Sequence, residues 1–338
     1  GTVGQLREAG TRTGESLKRA VVIKEEPREP TGWIRVEGAT ENNLNGIDVD
    51  VPTGVLAAIT GVAGSGKSSL LRELQYADEL ADAVWVDQAA IAGSRRSNPA
   101  TYTGALDSIR KAFAKASGEP ASLFSPNSEG ACPHCKGAGV VYVDLGVVQG
   151  VDVPCEVCEG RRFDDAVLVH TLGGKNISEV LTMPASEAQQ YLKDNKVTAA
   201  SKICGHLVDV GLGYVTLGQS LTTLSGGERQ RLKLAANLKK LASAYVLDEP
   251  TTGLHLADTA RLVTLFEQLV AKGSSVIVVE HNLAVVGQAD YVIDVGPGAG
   301  SAGGRIVAHG TPADLIRTHD ATGSVTGRHL AAAAAQEM

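Results

Sequence analysis

Gly61-Val-Ala-Gly64-Ser-Gly66-Lys67-Ser68 constrains this 338-residue chain more than any other stretch. It fits GxxxxGK followed by Ser or Thr, and it comes directly after the apolar run Val55-Leu-Ala-Ala-Ile59. That context demands a strand buried on both faces, a tight glycine loop and a helix opening on the loop. Such a loop cradles phosphate because successive backbone N–H groups and the helix dipole converge on one anion. Gly61, Gly64, Ser65, Gly66, Lys67, Ser68 and Ser69 are therefore the candidate ATP ligands, with Lys67 reaching the β and γ phosphates and Ser68 holding magnesium. A glycine-rich turn with a surface lysine is the plainer alternative, and the motifs that follow argue against it.

Ala244-Tyr-Val-Leu247 is a second apolar run, ending in Asp248-Glu249. An acid at that point can orient magnesium, and its neighbour can polarise an attacking water. Between these motifs Leu224-Ser225-Gly226-Gly227-Glu228 opens a helix, which makes a second site of amides and dipole for an anion. Taken alone, each of these two motifs could be only a helix cap. Val276 to Val279 delivers Glu280-His281, a histidine placed to sense a terminal phosphate. Gln88, after Ala83-Val-Trp-Val86-Asp87, suits a polar link between the nucleotide and an inserted domain.

Alternating strands and helices place the chain in the α/β class. Residues 1–30, with Pro27, Pro30 and mixed charge, read as a linker. The ATPase core is expected at 31–90 and 221–320, interrupted by an insertion at 91–220. Residues 321–338 read as a C-terminal tail, in which the alanine run 331–335 is either a frayed helix or disordered. No apolar run approaches the ~18 residues of a membrane span, and Gly1–Gly10 lacks the basic and apolar stretches of a secretory leader. Five cysteines include two CxxC pairs, a usage that suits metal ligation in a reducing compartment. A cytoplasmic location without membrane insertion is expected.

Cys132-Pro-His134-Cys135, nineteen residues and Cys155-Glu-Val-Cys158 have the spacing of a four-thiolate zinc site. Val140 to Leu145 and Val151 to Val153 read as strands of a hairpin, so zinc would pin its base within a module spanning 131–163. His134 and His170 stand as alternative ligands. Cys204 reads as a buried helix residue.

With loop, glutamine, Ser-Gly-Gly, acidic strand and histidine in this order, the chain resembles ABC-type ATPases. That resemblance implies a head-to-tail sandwich, in which ATP lies between the phosphate loop of one unit and the Ser225–Glu228 equivalent of another. Adding the zinc module, the chain resembles the UvrA family, the excinuclease ABC ATPases of bacterial nucleotide excision repair. Glu41-Asn-Asn-Leu44, Ser97-Asn-Pro-Ala-Thr-Tyr-Thr103, Cys158-Glu-Gly-Arg-Arg-Phe163 and Val210-Gly-Leu-Gly-Tyr214 support it. The likeness covers about 31–316 and is to the C-terminal ATPase half; with a first residue other than Met, a piece of a longer two-unit protein is expected. The resemblance implies an ATPase that binds duplex DNA, damaged DNA included, as a homodimer and recruits excision nuclease subunits. It assigns Glu249, His281 and Gln88 to catalysis.

The hairpin tip Gly146–Gly150 lacks the bulky or aromatic residues of repair members. Asp144-Leu145-Gly146 and the stretch 155–163 resemble UvrA-like proteins associated with resistance to DNA-binding antibiotics. A drug-resistance or transport-associated ATPase without a repair role is thus the alternative, as is a module that binds ATP only structurally. A net charge of −7 restricts DNA contact to local patches. Arg95, Arg96, Lys136, Arg161 and Arg162 are the candidates.

Overall fold

The computed structural model describes residues 1–11, 13–15, 21–87, 89, 91, 94–144, 146 and 150–335, and only the backbone of Leu256 and Ala257. Gln88 and most of the expected hairpin tip, residues 145 and 147–149, lie outside the described residues. The strands are β1 (Gly32–Ala39), β2 (Ile47–Thr53), β3 (Leu56–Thr60), β4 (Val84–Val86), β5 (Val140–Val143), β6 (Val151–Pro154), β7 (Ala244–Asp248), β8 (Ser275–Val279), β9 (Tyr291–Gly296) and β10 (Arg305–Gly310). The chain divides into two compact units, Gly1–Gln88 with Lys240–Met338, and Ala89–Lys239.

The first unit is built on a six-stranded sheet of order β10-β9-β3-β8-β7-β4. Five strands are parallel, and β10 runs antiparallel to β9 at the edge. Strands β3 and β8 are buried at every position, as their unbroken apolar runs require when both sheet faces are covered. Helix Leu256–Ala271 packs on this sheet through Leu262, Leu265, Phe266, Leu269 and Val270, the spacing of one helical face. The antiparallel pair β1–β2 turns Ile34, Val36, Val49 and Val51 inward, in register, onto the same core as Ile59 and Leu70. Its alternate residues, Arg35 and Glu37 among them, face out, which is the period of two expected of a sheet covered on one side.

Residues 1–30 are more than a linker. Val3–Glu8 is a short helix, capped reciprocally by Thr2 and Gln5. Farther on, Lys24 Nζ lies 2.6 Å from Asp290 and 2.7 Å from Glu267, while the Arg28 N–H donates to Asp290 at 2.9 Å. The buried Asp290 carboxylate also accepts the Leu56 N–H. Burial opposes its charge, yet these donors hold it below the usual carboxylate range.

Of the two readings of the C-terminal alanine run, the helical one holds, and that helix is packed. Pro312–Thr322 and Val325–Ala334 are helices, the second capped by Ser324, with Leu315 and Leu330 fully buried.

The second unit is helical, with the β5–β6 hairpin attached. Phe113 and Phe124 meet at 5.4 Å in its core. It runs to Lys239, so the expected boundary at 220 falls too early. Helix Gly226–Asn237 belongs here because Leu232, Leu234 and Ala235 are buried, and its neighbours are Thr198–Asp209 and Pro99–Thr103.

Candidate functional site

Parallel register brings the first unit's motifs into line. Ile59 and Asp248 are both partners of Val279, so the loop after β3, the acids ending β7 and the histidine after β8 leave one sheet edge side by side. Carboxyl ends of parallel strands are where α/β proteins place their ligands.

Gly66 holds a left-handed conformation as N-cap of helix Lys67–Leu74, and no side chain caps that end. The first-turn amides are therefore available to an anion. Lys67 Nζ folds back to the carbonyls of Gly61 and Val62, at 3.0 and 2.8 Å. Burial lowers its pKa, while Glu249, Asp248 and Asp294 act in the opposite sense. Ser65 Oγ is buried with no hydrogen-bond partner. An orphaned hydroxyl, open amides and an ammonium fit a nucleotide phosphate. Ser68 is exposed beside them, as a magnesium ligand must be. Ser69 differs: its hydroxyl is turned to Asn43 Oδ1 and Asn42 Nδ2 at 3.4 and 3.3 Å, which leaves only its amide for phosphate.

A brace that no local motif announces holds this loop. Gly300 and Gly304 donate their N–H groups to the Gly64 and Ser65 carbonyls at 3.0 and 2.8 Å, and Asn43 Nδ2 also donates to Gly64. A Cβ at Gly61 would drive into the Val295 carbonyl oxygen, so close approach to β9 requires glycine there. Buried Asp294 ties the brace to the C-terminal helix, accepting from Thr60 at 3.0 Å, Thr326 at 2.9 Å and Ser324 at 2.6 Å. Asp294→Asn is expected to lower stability by about 2 kcal/mol, the scale of hydrogen bonds to a charged group. It should also weaken nucleotide binding several-fold; a thermal melt and a nucleotide titration check both, and an unchanged melt would remove Asp294 from this role.

Glu249 has φ +50, uncommon outside glycine, and is held there by its N–H on the Val279 carbonyl at 2.9 Å. Its Oε1 lies 3.1 Å from His281 Nε2, and Thr252 Oγ1 lies 3.4 Å from Oε2. Burial and adjacent Glu249 push the Asp248 carboxyl up, partly offset by Lys67. Glu280, given no role from sequence, is 2% exposed and accepts N–H bonds from Thr251, His281 and Asn282. Burial raises its pKa. It thereby fixes the backbone that aims His281 and the turn after Glu249.

The Ser-Gly-Gly motif lies in the second unit. Ser225 caps helix Gly226–Asn237, with its Oγ accepting the Glu228 N–H at 3.3 Å and Glu228 Oε2 accepting the Ser225 N–H at 2.7 Å. Tyr214 is exposed as a residue, but its O–H donates to Glu228 at 2.6 Å, and loss of water around the hydroxyl together with that carboxylate pushes the phenol up to about 12. The Ser225 hydroxyl proton and the amides of Gly226 and Gly227 are the groups this end can offer an anion.

Cys132, Cys135, Cys155 and Cys158 form one buried cluster with all sulfurs within 4.8 Å of each other. The Cys135 and Cys158 sulfurs are 3.6 Å apart, close to the roughly 3.8 Å edge of a tetrahedron with Zn–S near 2.3 Å. Although burial opposes it, N–H groups of Cys158 and Val157 bring Cys155 down to about 7. The donor set fits zinc, and neither His134 nor His170 is among the residues brought together. Cys204 is buried in helix Thr198–Asp209, and burial pushes its thiol up to about 12.

The DNA-contact candidates separate. Arg96 and Lys136 are exposed. Arg95 pairs with Asp152 at 2.8 Å and lies 4.4 Å over the Tyr142 ring, on the hairpin. Arg161 is engaged by Asp165 at 3.0 Å and by the Cys158 carbonyl at 3.1 Å. Arg162 is half-buried, with Nη2 bonded to the Gly218 carbonyl at 2.9 Å and Nη1 buried, so its guanidinium is engaged within the unit.

Phosphate loop, acidic strand and histidine, with a Ser-Gly-Gly helix end, together define an ATP-binding-cassette ATPase. A family model described as ABC transporter matches residues 44–252, and the chain belongs to that family. It is 42% identical to UvrABC system protein A of Staphylococcus aureus (strain COL), an alignment covering 96% of this chain and 37% of the relative. Against UvrABC system protein A of Micrococcus luteus the identity is 45%, over 98% of this chain and 36% of the relative. The crystal structure of UvrA2 from Deinococcus radiodurans superposes with a TM-score of 0.87 at 43% identity, covering 96% of this chain and 42% of that one. The chain thus spans just over a third of the length of these curated relatives. No helix among the described residues is long and apolar enough to cross a membrane.

Proposed function

We propose that this chain is the ATP-binding and ATP-hydrolysing cassette of a DNA-binding protein of nucleotide excision repair. The observation that carries the reading is the union, in one chain similar to UvrABC system protein A over nearly its whole length, of a built nucleotide site and a four-cysteine hairpin module. Lys67, Ser68 and Asp248 hold the magnesium nucleotide, Glu249 takes the proton of the attacking water, and His281 faces the terminal phosphate. Ser225 to Glu228 serve the nucleotide of a second unit, so ATP closes two units on each other. A homodimer and recruited nuclease subunits complete the assembly.

On the DNA side, the hairpin presents Tyr142, Val143, Val151 and Val153 to solvent, with Arg95 stacked on Tyr142. An exposed aromatic under a guanidinium suits contact with a sugar-phosphate backbone or an unstacked base. Arg95, Arg96 and Lys136 are the proposed contacts. Duplex binding followed by fluorescence anisotropy, with and without ATP and a bulky adduct across a salt series, tests the proposal. Affinity should fall with salt with a log–log slope of roughly −0.9 per phosphate neutralised, and Arg95→Ala with Arg96→Ala should flatten it. No duplex binding at low salt, alongside intact ATP turnover, would overturn the DNA role and favour resistance or transport chemistry.

A further inference from the structure

We propose that Arg162 couples the metal state of the four-cysteine centre to the segment 218–225 that ends at Ser225. This inference does not depend on the DNA reading, since every residue in it lies in the second unit.

Arg162 is fastened to the centre by its main chain. Its carbonyl accepts the Cys132 N–H at 3.0 Å, and its own N–H bonds Cys158. Arg162 has a φ of +72, and its guanidinium reaches the Gly218 carbonyl while that of neighbouring Arg161 pairs with Asp165. Gly139 makes room: a Cβ there would sit 2.9 Å from Arg162 Cγ. At the far end Nη2 donates to the Gly218 carbonyl, 56 residues along the chain. Nη1 is buried without a partner. A half-buried cation with one buried, unused donor, which interacts electrostatically with Cys135 and Cys158, matches four thiolates around one divalent ion, which carry a net charge of −2.

The path beyond Gly218 is short and well tied. The Gly218 N–H donates to the Leu181 carbonyl at 2.7 Å. Ser220 caps the turn Leu221–Thr223, and the Leu221 N–H bonds the Ser97 carbonyl at 2.9 Å. Leu221 and Leu224 are buried, and Arg229 Nε holds the Leu224 carbonyl at 2.9 Å. Ser225 follows directly. An anchor at Gly218 therefore limits how the backbone enters the helix end that offers its amides to phosphate. Without metal the cluster loses its fixed geometry, Arg162 loses its counter-charge, and the anchor on Gly218 slackens. Arg162 acts as a positioning residue.

Hydrogen exchange of the whole chain, with zinc content measured in parallel, tests this. In the unsubstituted chain, stripping zinc with a chelator should speed amide exchange in 218–225 by roughly tenfold, while helix Thr198–Asp209 stays protected. Arg162→Gln should keep one zinc per chain yet exchange fast in 218–225 with metal bound, and chelation should add little. Arg162→Lys, which restores the positive charge and one donor nitrogen, should recover part of the protection. Equal exchange of 218–225 with and without zinc in the unsubstituted chain would overturn the proposal, even if Arg162→Gln cannot be folded. So would a rise spread evenly over helix Thr198–Asp209, or Arg162→Gln behaving as the parent.

Discussion

Glu249→Gln is expected to retain magnesium-ATP affinity within a few-fold and to lose turnover by a factor of roughly 10² to 10⁴, the range for removing a general base. The glutamine keeps the side chain's size and one oxygen, so the left-handed backbone at residue 249 and its bond to Val279 stay in place. What is lost is the carboxylate that takes a proton, together with the charge facing His281 Nε2 at 3.1 Å. Nucleotide titration by fluorescence and phosphate release under saturating ATP separate the two effects. Turnover at the parent rate would show that Glu249 is not the base, and a parallel collapse of ATP affinity would assign it to binding.

Cys155→Ala is expected to abolish zinc binding and melt the module 131–163 locally. Cys155 is fully buried among the other three sulfurs, and structural zinc supplies on the order of 10 kcal/mol or more of folding energy to small domains. Among the described residues, Ala138 and Val141 are the apolar side chains packed against the sulfurs, so little apolar surface remains to hold the module when the metal leaves. The helices around Phe113 and Phe124 have their own core and should stay folded. Metal analysis, near-constant far-UV circular dichroism and new tryptic cleavage at Lys136 or Arg161 would report this outcome. Retained zinc at one per chain would contradict the four-thiolate centre.

Much of the nucleotide site is legible in sequence because each piece is local. Val55–Ile59, Ala244–Leu247 and Val276–Val279 are unbroken apolar runs; Asp248, Glu249 and His281 follow within two residues of the last two, and the phosphate loop opens at Gly61, two residues after the first. The brace is not local. Strand β9 carries Asp294 in its interior, and a buried acid interrupts the apolar signal by which a central strand is read. Its partners Thr60, Ser324 and Thr326 are far away in sequence, so only the fold shows that the acid is satisfied. What the alanines hide is the packing of the C-terminal helix, since composition cannot reveal that Leu330 is an anchor and Ser324 a cap. Arg161 and Arg162 look equivalent as neighbours in a basic pair, yet the first pairs with Asp165 and the second with the Gly218 carbonyl, a partner 56 residues away that the local sequence does not announce. The boundary at 220 is misplaced because Gln230 and Arg231 are buried alongside leucines, which blurs the helix's apolar face.

Mixing a Lys67→Ala chain with a Ser225→Arg chain tests most directly whether a nucleotide on one unit's phosphate loop is completed by another unit's Ser225. Each variant alone should be nearly inactive: the first loses the ammonium beside its loop, and the second blocks the helix end that caps a partner's nucleotide. In randomly paired dimers one site of each mixed pair keeps both intact motifs, so an equal mixture should regain about a quarter of the parent ATPase rate. A mixture no more active than its two components, under conditions where the parent hydrolyses ATP, would contradict the shared site.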